Sequence, residues 1–155
     1  MKILVDTSIL VRSSQVDSPV FSLVRDSVAR LPRLGFEGCL VPQVFYEYWV
    51  VATRPAAQNG LGLDAEQATF EMAQLASLFQ LLKDERAIFE KWQELVTQYQ
   101  VIGKQAHDTR LVAGMLRHGI SHVLTLNPKD FQRYAEITIV TPQKVLEVTD
   151  DIVAN

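Results

Sequence analysis

Short apolar runs alternate with stretches of helical periodicity along the chain, and this alternation constrains the possible folds more than any other feature. Each run is bounded by polar or turn-forming residues, as expected for strands that are buried on both faces. The predicted strands cover about residues 3–5, 38–41, 81–82, 123–126 and 137–140. Strands separated by helices at this spacing favour an α/β fold with three layers, α/β/α, around a short and mostly parallel central sheet.

The segments between the predicted strands carry apolar residues at helical spacing. The first predicted helix covers about residues 19–31, with a cap offered by Asp17-Ser18-Pro19 and Pro19 at its first helical position. Further helical stripes cover residues 42–52, 68–79, 88–99 and 111–116, and Gly119 ends the last of these helices. Residues 54–64 contain proline and glycine residues that break both periodicities, so they form the longest predicted loop.

The size and composition of the chain fit one globular domain. Its 155 residues are enough to bury a core and too few for two domains of ordinary size. The net charge of -3 offers no long-range attraction to nucleic acid, so any contact with RNA has to be local. The single cysteine, Cys39, excludes an internal disulfide and is predicted to be a buried core thiol. We therefore predict a single domain over residues 1–155.

No segment of the sequence predicts export or insertion into a membrane. A run of only three apolar residues precedes the first acid, Asp6, which is too short for the apolar region of a secretory signal. No apolar run approaches the length that crosses a bilayer. We predict a cytoplasmic protein that does not bind membranes.

Asp6 directly follows the first predicted strand. In open parallel sheets, ligands collect beyond the carboxyl ends of the strands, because side chains that leave the sheet there converge on a crevice. The alternative is that Asp6 only caps the turn through Thr7 and Ser8. Position alone leaves both interpretations open.

Glu47 is the only charged residue among residues 44–52, a helical segment that is apolar almost all the way round. A carboxylate buried there without a partner would lose several kcal/mol of hydration, on the order given by transfer measurements. Glu47 is therefore predicted to be protonated, bound to a metal ion or paired with an arginine in a buried ion pair.

Asp108 lies on the apolar face of its predicted helix, because Leu111, Val112 and Met115 follow it at helical spacing. Capping or the helix dipole explains an aspartate in a first turn, but neither explains an inward orientation. If Asp6, Glu47 and Asp108 meet at one edge of the sheet, their mutual repulsion requires a cation. Ligands that are all oxygen favour a hard ion, Mg²⁺ or Mn²⁺.

Four segments resemble, in this order, the successive motifs of PIN-domain nucleases of the VapC toxin type. They are residues 5–8 (VDTS), 42–47 (PQVFYE), 107–113 (HDTRLVA) and 125–131 (TLNPKDF). The resemblance spans nearly the whole chain and implies a PIN-like fold.

The resemblance also implies roles for particular residues. Asp6, Glu47 and Asp108 match the metal-binding acids of the family. Asn127 stands where many relatives have a fourth acid, and Asp130 is either the next acid of that motif or the cap of a short helix. A neutral Asn127 would weaken a second cation, so the number of ions stays open. Two further groups of residues surround these positions. The hydroxyls that would orient the acids are Thr7, Ser8 and Thr125, and the cations that would hold flanking phosphates, or form solvated surface, are Arg54, Lys104, Arg110 and Lys129.

The activity implied by the resemblance is endonucleolytic hydrolysis of RNA, dependent on Mg²⁺ or Mn²⁺. Relatives of this type are toxins that form homodimers and are silenced by a small antitoxin protein. The alternative is a catalytically silent PIN-fold module that serves as a binding or scaffold protein. A phosphotransferase of the haloacid-dehalogenase type is strongly disfavoured, because it needs a second aspartate at position 8, where this chain has Ser8.

Overall fold

The computed structural model describes residues 1–149, which form a parallel sheet of five strands flanked by helices. The strands are β1 (Lys2–Val5), β2 (Glu37–Leu40), β3 (Gln80–Leu81), β4 (His122–Leu124) and β5 (Thr138–Val140). The helices are α1 (Thr7–Ser13), α2 (Phe21–Arg30), α3 (Pro42–Thr53), α4 (Ala65–Leu78), α5 (Arg86–Gln98), α6 (Gln105–Arg117) and α7 (Pro142–Glu147). Three short 3₁₀ segments cover Leu31–Leu34, Ala56–Gln58 and Pro128–Asp130.

The strand order is β3-β2-β1-β4-β5, and every neighbouring pair is parallel. At the centre, Leu4 of β1 pairs with Cys39 of β2 on one side and with Val123 of β4 on the other. The predicted three-layer α/β/α class with a short parallel sheet is confirmed.

The core lies on both faces of the central strands. Ile3, Leu4 and Val5 are completely buried, which explains why β1 is an unbroken apolar run and not an alternating one. Burial of each such side chain stabilises the fold by roughly 1.5–3 kcal/mol. Cys39 is also buried in this core and is not in a disulfide, as predicted.

Several boundaries differ from the sequence predictions. The cap predicted within Asp17-Ser18-Pro19 is wrong: α2 begins at Phe21, its capping position is Val20, and no side chain caps it. The Ser18 hydroxyl instead accepts a hydrogen bond from the Val20 backbone, at 3.3 Å, in a turn that precedes the helix. Strand β3 lies one residue earlier than predicted, because Gln80 pairs with Cys39. The helices α1 and α7 were not predicted.

The loop after α3 folds back onto the end of that helix. The backbone N–H groups of Leu61 and Leu63 donate to the carbonyls of Val51 and Ala52, at 3.0 and 2.9 Å. Gly60 passes so close to the Arg54 carbonyl that a Cβ atom would lie 1.9 Å from its oxygen, so only glycine fits there. The loop therefore holds Arg54 in place at the end of α3.

No helix within residues 1–149 is both long and apolar enough to span a bilayer.

Candidate active site

Acidic side chains from four parts of the chain line one cleft of about 310 Å³ at the carboxyl ends of β1 and β4. Asp6 follows β1, Glu47 lies in the second turn of α3, and Asp108 is the fourth residue of α6. Asn127 and Asp130 come from the segment after β4. The structure thus brings together all five residues that were predicted to form the catalytic centre.

Asp6 is only 6% exposed, and two hydroxyl groups hold its carboxylate. The Ser8 and Thr125 hydroxyls both donate to Oδ2, each at 2.8 Å. Burial raises the pKa of Asp6, and the charge of Glu47 raises it further, while the hydrogen bonds from Thr125, Ser8 and the Thr7 backbone lower it. Asp6 stands at the capping position of α1 and its carboxylate contacts Ser8 and the Thr7 backbone of the following turn, although its side chain makes no helix-capping hydrogen bond.

The hydroxyls of Ser8 and Thr125 join the two strand ends below the cleft. Thr125 accepts a hydrogen bond from the Asn127 backbone at 2.9 Å, and Ser8 accepts one from the Leu126 backbone at 3.1 Å. The two hydroxyl oxygens lie 3.5 Å apart. The segment that carries Asn127 is therefore tied to the same groups that orient Asp6.

Glu47 is partly buried and is held by neutral donors. Its Oε2 accepts a hydrogen bond from the Thr7 hydroxyl at 2.7 Å, and its Oε1 accepts one from Gln43 Nε2 at 2.8 Å. Among residues 1–149, no lysine, arginine or histidine forms an ion pair with Glu47. The structure therefore does not contain the buried arginine pair that the sequence left as an alternative.

Asp108 is half-buried and has its pKa raised to about 6. Burial is the main cause, and the negative charges of Asp130, Glu47 and Asp6 add to it, while His107 lowers the pKa. Within the described part of the chain, no group donates a hydrogen bond to the Asp108 carboxylate. The acids of the cleft thus repel one another, and Asp108 in particular lacks any compensating donor.

Packing between α6 and the segment after β4 places Asp108 beside Asp130. Thr109, the next residue along α6, shares a buried hydrogen bond of 2.7 Å with the hydroxyl of Tyr134. The Trp92 indole N–H of α5 donates to the Ala106 carbonyl at 2.9 Å and anchors the start of α6.

The donor set of the cleft fits a hard divalent cation. The available groups are carboxylates and one amide, and they include no thiolate. Within residues 1–149, however, no three Asp, Glu, His or Cys side chains are already close enough together to hold an ion. Repulsion between carboxylates opposes a closer arrangement until a cation compensates their charge.

The cations that were predicted to contact phosphate are divided between two places. Arg54 and Arg110 line a second groove, of about 730 Å³, which shares Glu47 and Val51 with the acid cleft. Lys104 and Lys129 are exposed and line neither of these two clefts.

Two residues of the site were missed by the sequence analysis. Arg12 lines the acid cleft, and its Nη1 donates to Gln15 Oε1 at 2.5 Å. Gln43 holds Glu47. Gln43 precedes Glu47 by four residues, the spacing of neighbours on one helix face, but this spacing alone does not single it out. Arg12 lies in α1, which was not predicted, so no signal in the sequence pointed to it.

Comparisons with known proteins bear on the identity of this fold. The PIN domain family model matches residues 3–137. The fold is similar to that of a structure described as VapBC2 from Rickettsia felis bound to a DNA fragment from their promoter, with a TM-score of 0.68 and 15% identity, over 91% of this chain and 98% of that chain. It is also similar to VapBC-1 from nontypeable Haemophilus influenzae, with a TM-score of 0.66 and 17% identity, over 93% of this chain and 100% of that chain.

A third similar structure is VapC20 from Mycobacterium tuberculosis, described as a toxin that cleaves the sarcin–ricin loop. Its TM-score is 0.60 and its identity 17%, over 78% of this chain and 86% of that chain. No functionally curated protein matches the sequence. At these identities the solved structures establish the fold, whereas the family model covers most of the sequence itself. The chain therefore belongs to the PIN-domain family.

Proposed function

We propose that this protein is an endoribonuclease that depends on Mg²⁺ or Mn²⁺ and hydrolyses RNA phosphodiester bonds. The observation that carries the proposal is the convergence of Asp6, Glu47, Asp108 and Asp130 on one cleft, where no lysine, arginine or histidine among residues 1–149 forms an ion pair with any of them. A cluster of this kind suits a divalent ion better than it suits any role in stability.

In this proposal, Asp6 and Asp108 hold the ion, and Glu47 binds it or positions the attacking water. When bound, a divalent cation supplies positive charge that polarises the phosphoryl group and favours deprotonation of a water. Ser8 and Thr125 hold the Asp6 carboxylate, and Thr7 holds Glu47, so these hydroxyls limit the rotation of the acids. Asn127 and Asp130 are candidates for contacting a second ion or a water.

The chain's own cations supply the contacts to the RNA backbone. Arg12 lies in the acid cleft, and Arg54 and Arg110 lie in the adjoining groove. We propose that they hold phosphates on either side of the scissile bond, with Lys104 and Lys129 contributing at a greater distance. The description of the Mycobacterium tuberculosis neighbour as a toxin that cleaves the sarcin–ricin loop supports RNA as the substrate.

We propose further that the protein is the toxin of a toxin–antitoxin pair and that a small antitoxin protein silences it. The similarity to proteins described as VapBC supports this, as does the position of the acid cleft on an accessible edge of the sheet. Expression of the chain alone should slow bacterial growth, and co-expression with the product of its neighbouring gene should restore it. Normal growth at verified expression of the soluble toxin would contradict the proposal.

The exposed face of α3 supports the predicted homodimer. Tyr46 and Val50 are 62% and 55% exposed, and Phe89 of α5 is 58% exposed. Tyr46 and Val50 line the second groove, and Arg110 lies between that groove and the surface around Phe89. Apolar residues grouped on a surface are typical of interfaces. Light scattering of the wild type and of Val50→Glu tests this, because a dimer through this face should become a monomer in the variant.

The ribonuclease proposal is tested by metal-dependent cleavage of RNA. Asp6→Ala and Asp108→Asn should each lower the cleavage rate by at least about a hundredfold, on the scale of changes to groups at a reacting centre. Asp26→Asn is a matched control, because Asp26 is exposed and pairs with Arg25 away from the cleft. Cleavage that persists at the wild-type rate in both cleft variants would refute the assignment.

A silent PIN module remains a second candidate, and it is favoured by the neutral Asn127 at a position where many relatives have an acid. Titration with Mn²⁺ separates the ribonuclease from the silent module. The ribonuclease should bind Mn²⁺ at a site where Mg²⁺ competes, whereas a module without catalytic function needs no such site. RNA that is bound but not cleaved at saturating Mn²⁺ would support the silent module.

We also propose that residues 1–155 form one domain and that the protein is cytoplasmic. The single sheet and the continuous core of the described residues support one domain, and residues 150–155 lie outside the described part. The location stays a prediction, which cell fractionation tests.

A further inference from the structure

Gln43 of α3 has a buried carboxamide whose hydrogen bonds all go to residues in or beside the acid cleft. The residue is 6% exposed. Its Nε2 donates to Glu47 Oε1 and to the His107 carbonyl, both at 2.8 Å. Its Oε1 accepts a hydrogen bond from Arg110 Nη1 at 2.9 Å. Both N–H donors and the oxygen are therefore engaged.

The three partners select one orientation of the carboxamide. Rotation by half a turn would place its oxygen against the Glu47 carboxylate and the His107 carbonyl, and its NH₂ group against the Arg110 guanidinium. Each of the three contacts would then place two acceptors or two donors against each other and would be repulsive. The amide consequently presents a donor to Glu47 at all times.

Arg110 contacts Gln43, and among residues 1–149 no hydrogen bond joins it to Glu47. Its Nη2 lies 3.3 Å from Asp84 Oδ2, and its Nη1 donates to Gln43. The guanidinium polarises the amide, and a polarised amide is a stronger donor to Glu47. Because the amide is neutral, it does not compensate the negative charge of Glu47, whereas an arginine at position 43 would.

We propose that Gln43, supported by Arg110, is a positioning residue that orients the Glu47 carboxylate toward the divalent cation of the cleft. The inference rests on the proposed function for the identity of that ion. It assigns to Gln43 no contact with the RNA and none with the ion itself. Its effect passes through Glu47.

The first test is Gln43→Met, which keeps the size of the side chain and removes its donors. The Mn²⁺ dissociation constant, measured by electron paramagnetic resonance without RNA, should rise by about tenfold or more, as for other residues that orient metal ligands. Gln67→Met is the matched control, since it removes a side-chain hydrogen bond that Gln67 Oε1 accepts from the Asp64 backbone in the α4 cap, and Gln67 lines neither the cleft nor the second groove. Unchanged Mn²⁺ affinity in folded Gln43→Met would overturn the proposal.

A double-mutant cycle separates positioning from general destabilisation. If Gln43 acts through Glu47, then Gln43→Met should change Mn²⁺ affinity in the wild-type background and leave it unchanged in the Glu47→Ala background. Equal losses in both backgrounds would mean a structural role only and would overturn the inference. This readout needs no cleavage, so the absence of ribonuclease activity in the wild type would refute the proposed function separately.

Arg110 keeps the inference testable if Gln43→Met does not fold. The Arg110 side chain is partly exposed and acts on Glu47 only through Gln43. Arg110→Met should therefore weaken Mn²⁺ binding by about two- to fivefold, less than Gln43→Met does. Arg110→Lys should restore part of this loss, because an ammonium can still donate to Gln43 Oε1. Wild-type affinity in Arg110→Met would remove Arg110 from the proposal.

Discussion

At the scale of single residues, Asp108 has the least favourable environment among the acids of the cleft. It is desolvated, it lies near three other negative charges, and its carboxylate receives no hydrogen bond within the described residues. Its pKa of about 6, against an ordinary value of 3.8, means that ionisation of Asp108 opposes folding. The contribution of protonated Asp108 to the free energy of unfolding is fully present below about pH 3.8 and is lost as the pH rises through about 6.

We therefore predict that Asp108→Asn stabilises the metal-free protein at neutral pH. The raised pKa of Asp108 corresponds to about 3 kcal/mol in the free energy of unfolding before solvent screening is considered. Because the side chain is half exposed, we expect a gain of about 1 kcal/mol. The gain should disappear near pH 4, where the wild-type carboxyl is protonated. Urea denaturation at both pH values measures it, with exposed Asp17→Asn as the control. Destabilisation at neutral pH would contradict the prediction.

The acids themselves could be predicted from the sequence, because Glu47 and Asp108 stand out in apolar surroundings. Gln43 and Arg12 could not be distinguished in this way. An uncharged glutamine or a partly buried arginine on a helix is ordinary in composition, and its role depends on which element packs opposite. Gln43 acquires its role only because α6 brings the His107 carbonyl and Arg110 to it.

At the scale of elements, α1 connects the two strand ends of the site. Ser8 donates to Asp6 and accepts from the Leu126 backbone, so one hydroxyl joins the end of β1 to the segment after β4. The helix has only seven residues and no capping side chain. A segment this short shows too little periodicity to be predicted, which is why α1 and α7 were missed.

Ser8→Ala should weaken both the fold and the site. The Leu126 N–H would lose its acceptor, at an expected cost of about 1–3 kcal/mol in the free energy of unfolding. RNA cleavage should also fall, because Asp6 loses one of its two hydroxyl donors. Ser13→Ala lies in the same helix, and among residues 1–149 the Ser13 hydroxyl bonds only to the Ile9 carbonyl of α1. It should retain wild-type cleavage. Equal effects in the two variants would argue against the bridging role of Ser8.

The end of α3 supports a second prediction at this scale. A methyl group at position 60 would clash with the Arg54 carbonyl, so Gly60→Ala should destabilise the protein by about 1–3 kcal/mol, as overpacking does. Gly114 lies inside α6, where an added Cβ would meet Val41 at an ordinary 3.6 Å. Gly114→Ala should be neutral or stabilise by about 0.5–1 kcal/mol. Thermal unfolding compares the two, and the reverse order of stability would refute both expectations.

At the scale of the whole molecule, the strand order explains where the cleft lies. The chain passes from β1 outward to β2 and β3, and then crosses back to place β4 on the other side of β1. Open sheets bind ligands at such a reversal. The sequence could predict the alternation of strands and helices but not this order, because a buried run of three or four apolar residues does not indicate which strands it pairs with.

If the cleft binds a divalent cation, the whole fold should be stabilised by it. Mg²⁺ at a hundred times its dissociation constant adds about 2.7 kcal/mol, which for a chain of this size is about 5–10 °C in Tm. The gain should shrink below about pH 6, as protons compete for Asp108. Differential scanning fluorimetry measures the shift, with Asp6→Asn as the variant that should lose it and matched ionic strength as the control. Equal shifts in both proteins would mean nonspecific binding.

Asp6 directly follows β1, and Glu47 and Asp108 lie in α3 and α6. Arg12 and Arg54, which line the cleft and the adjoining groove, lie in α1 and directly after α3. Their substitution disturbs no β-strand, and Arg54 in particular lies beyond the last turn of α3. For protein engineers, this separation offers a route to altered target preference: Arg12 and Arg54 can be randomised as a library while the ion-holding framework, with Gln43 and Arg110 behind it, is retained.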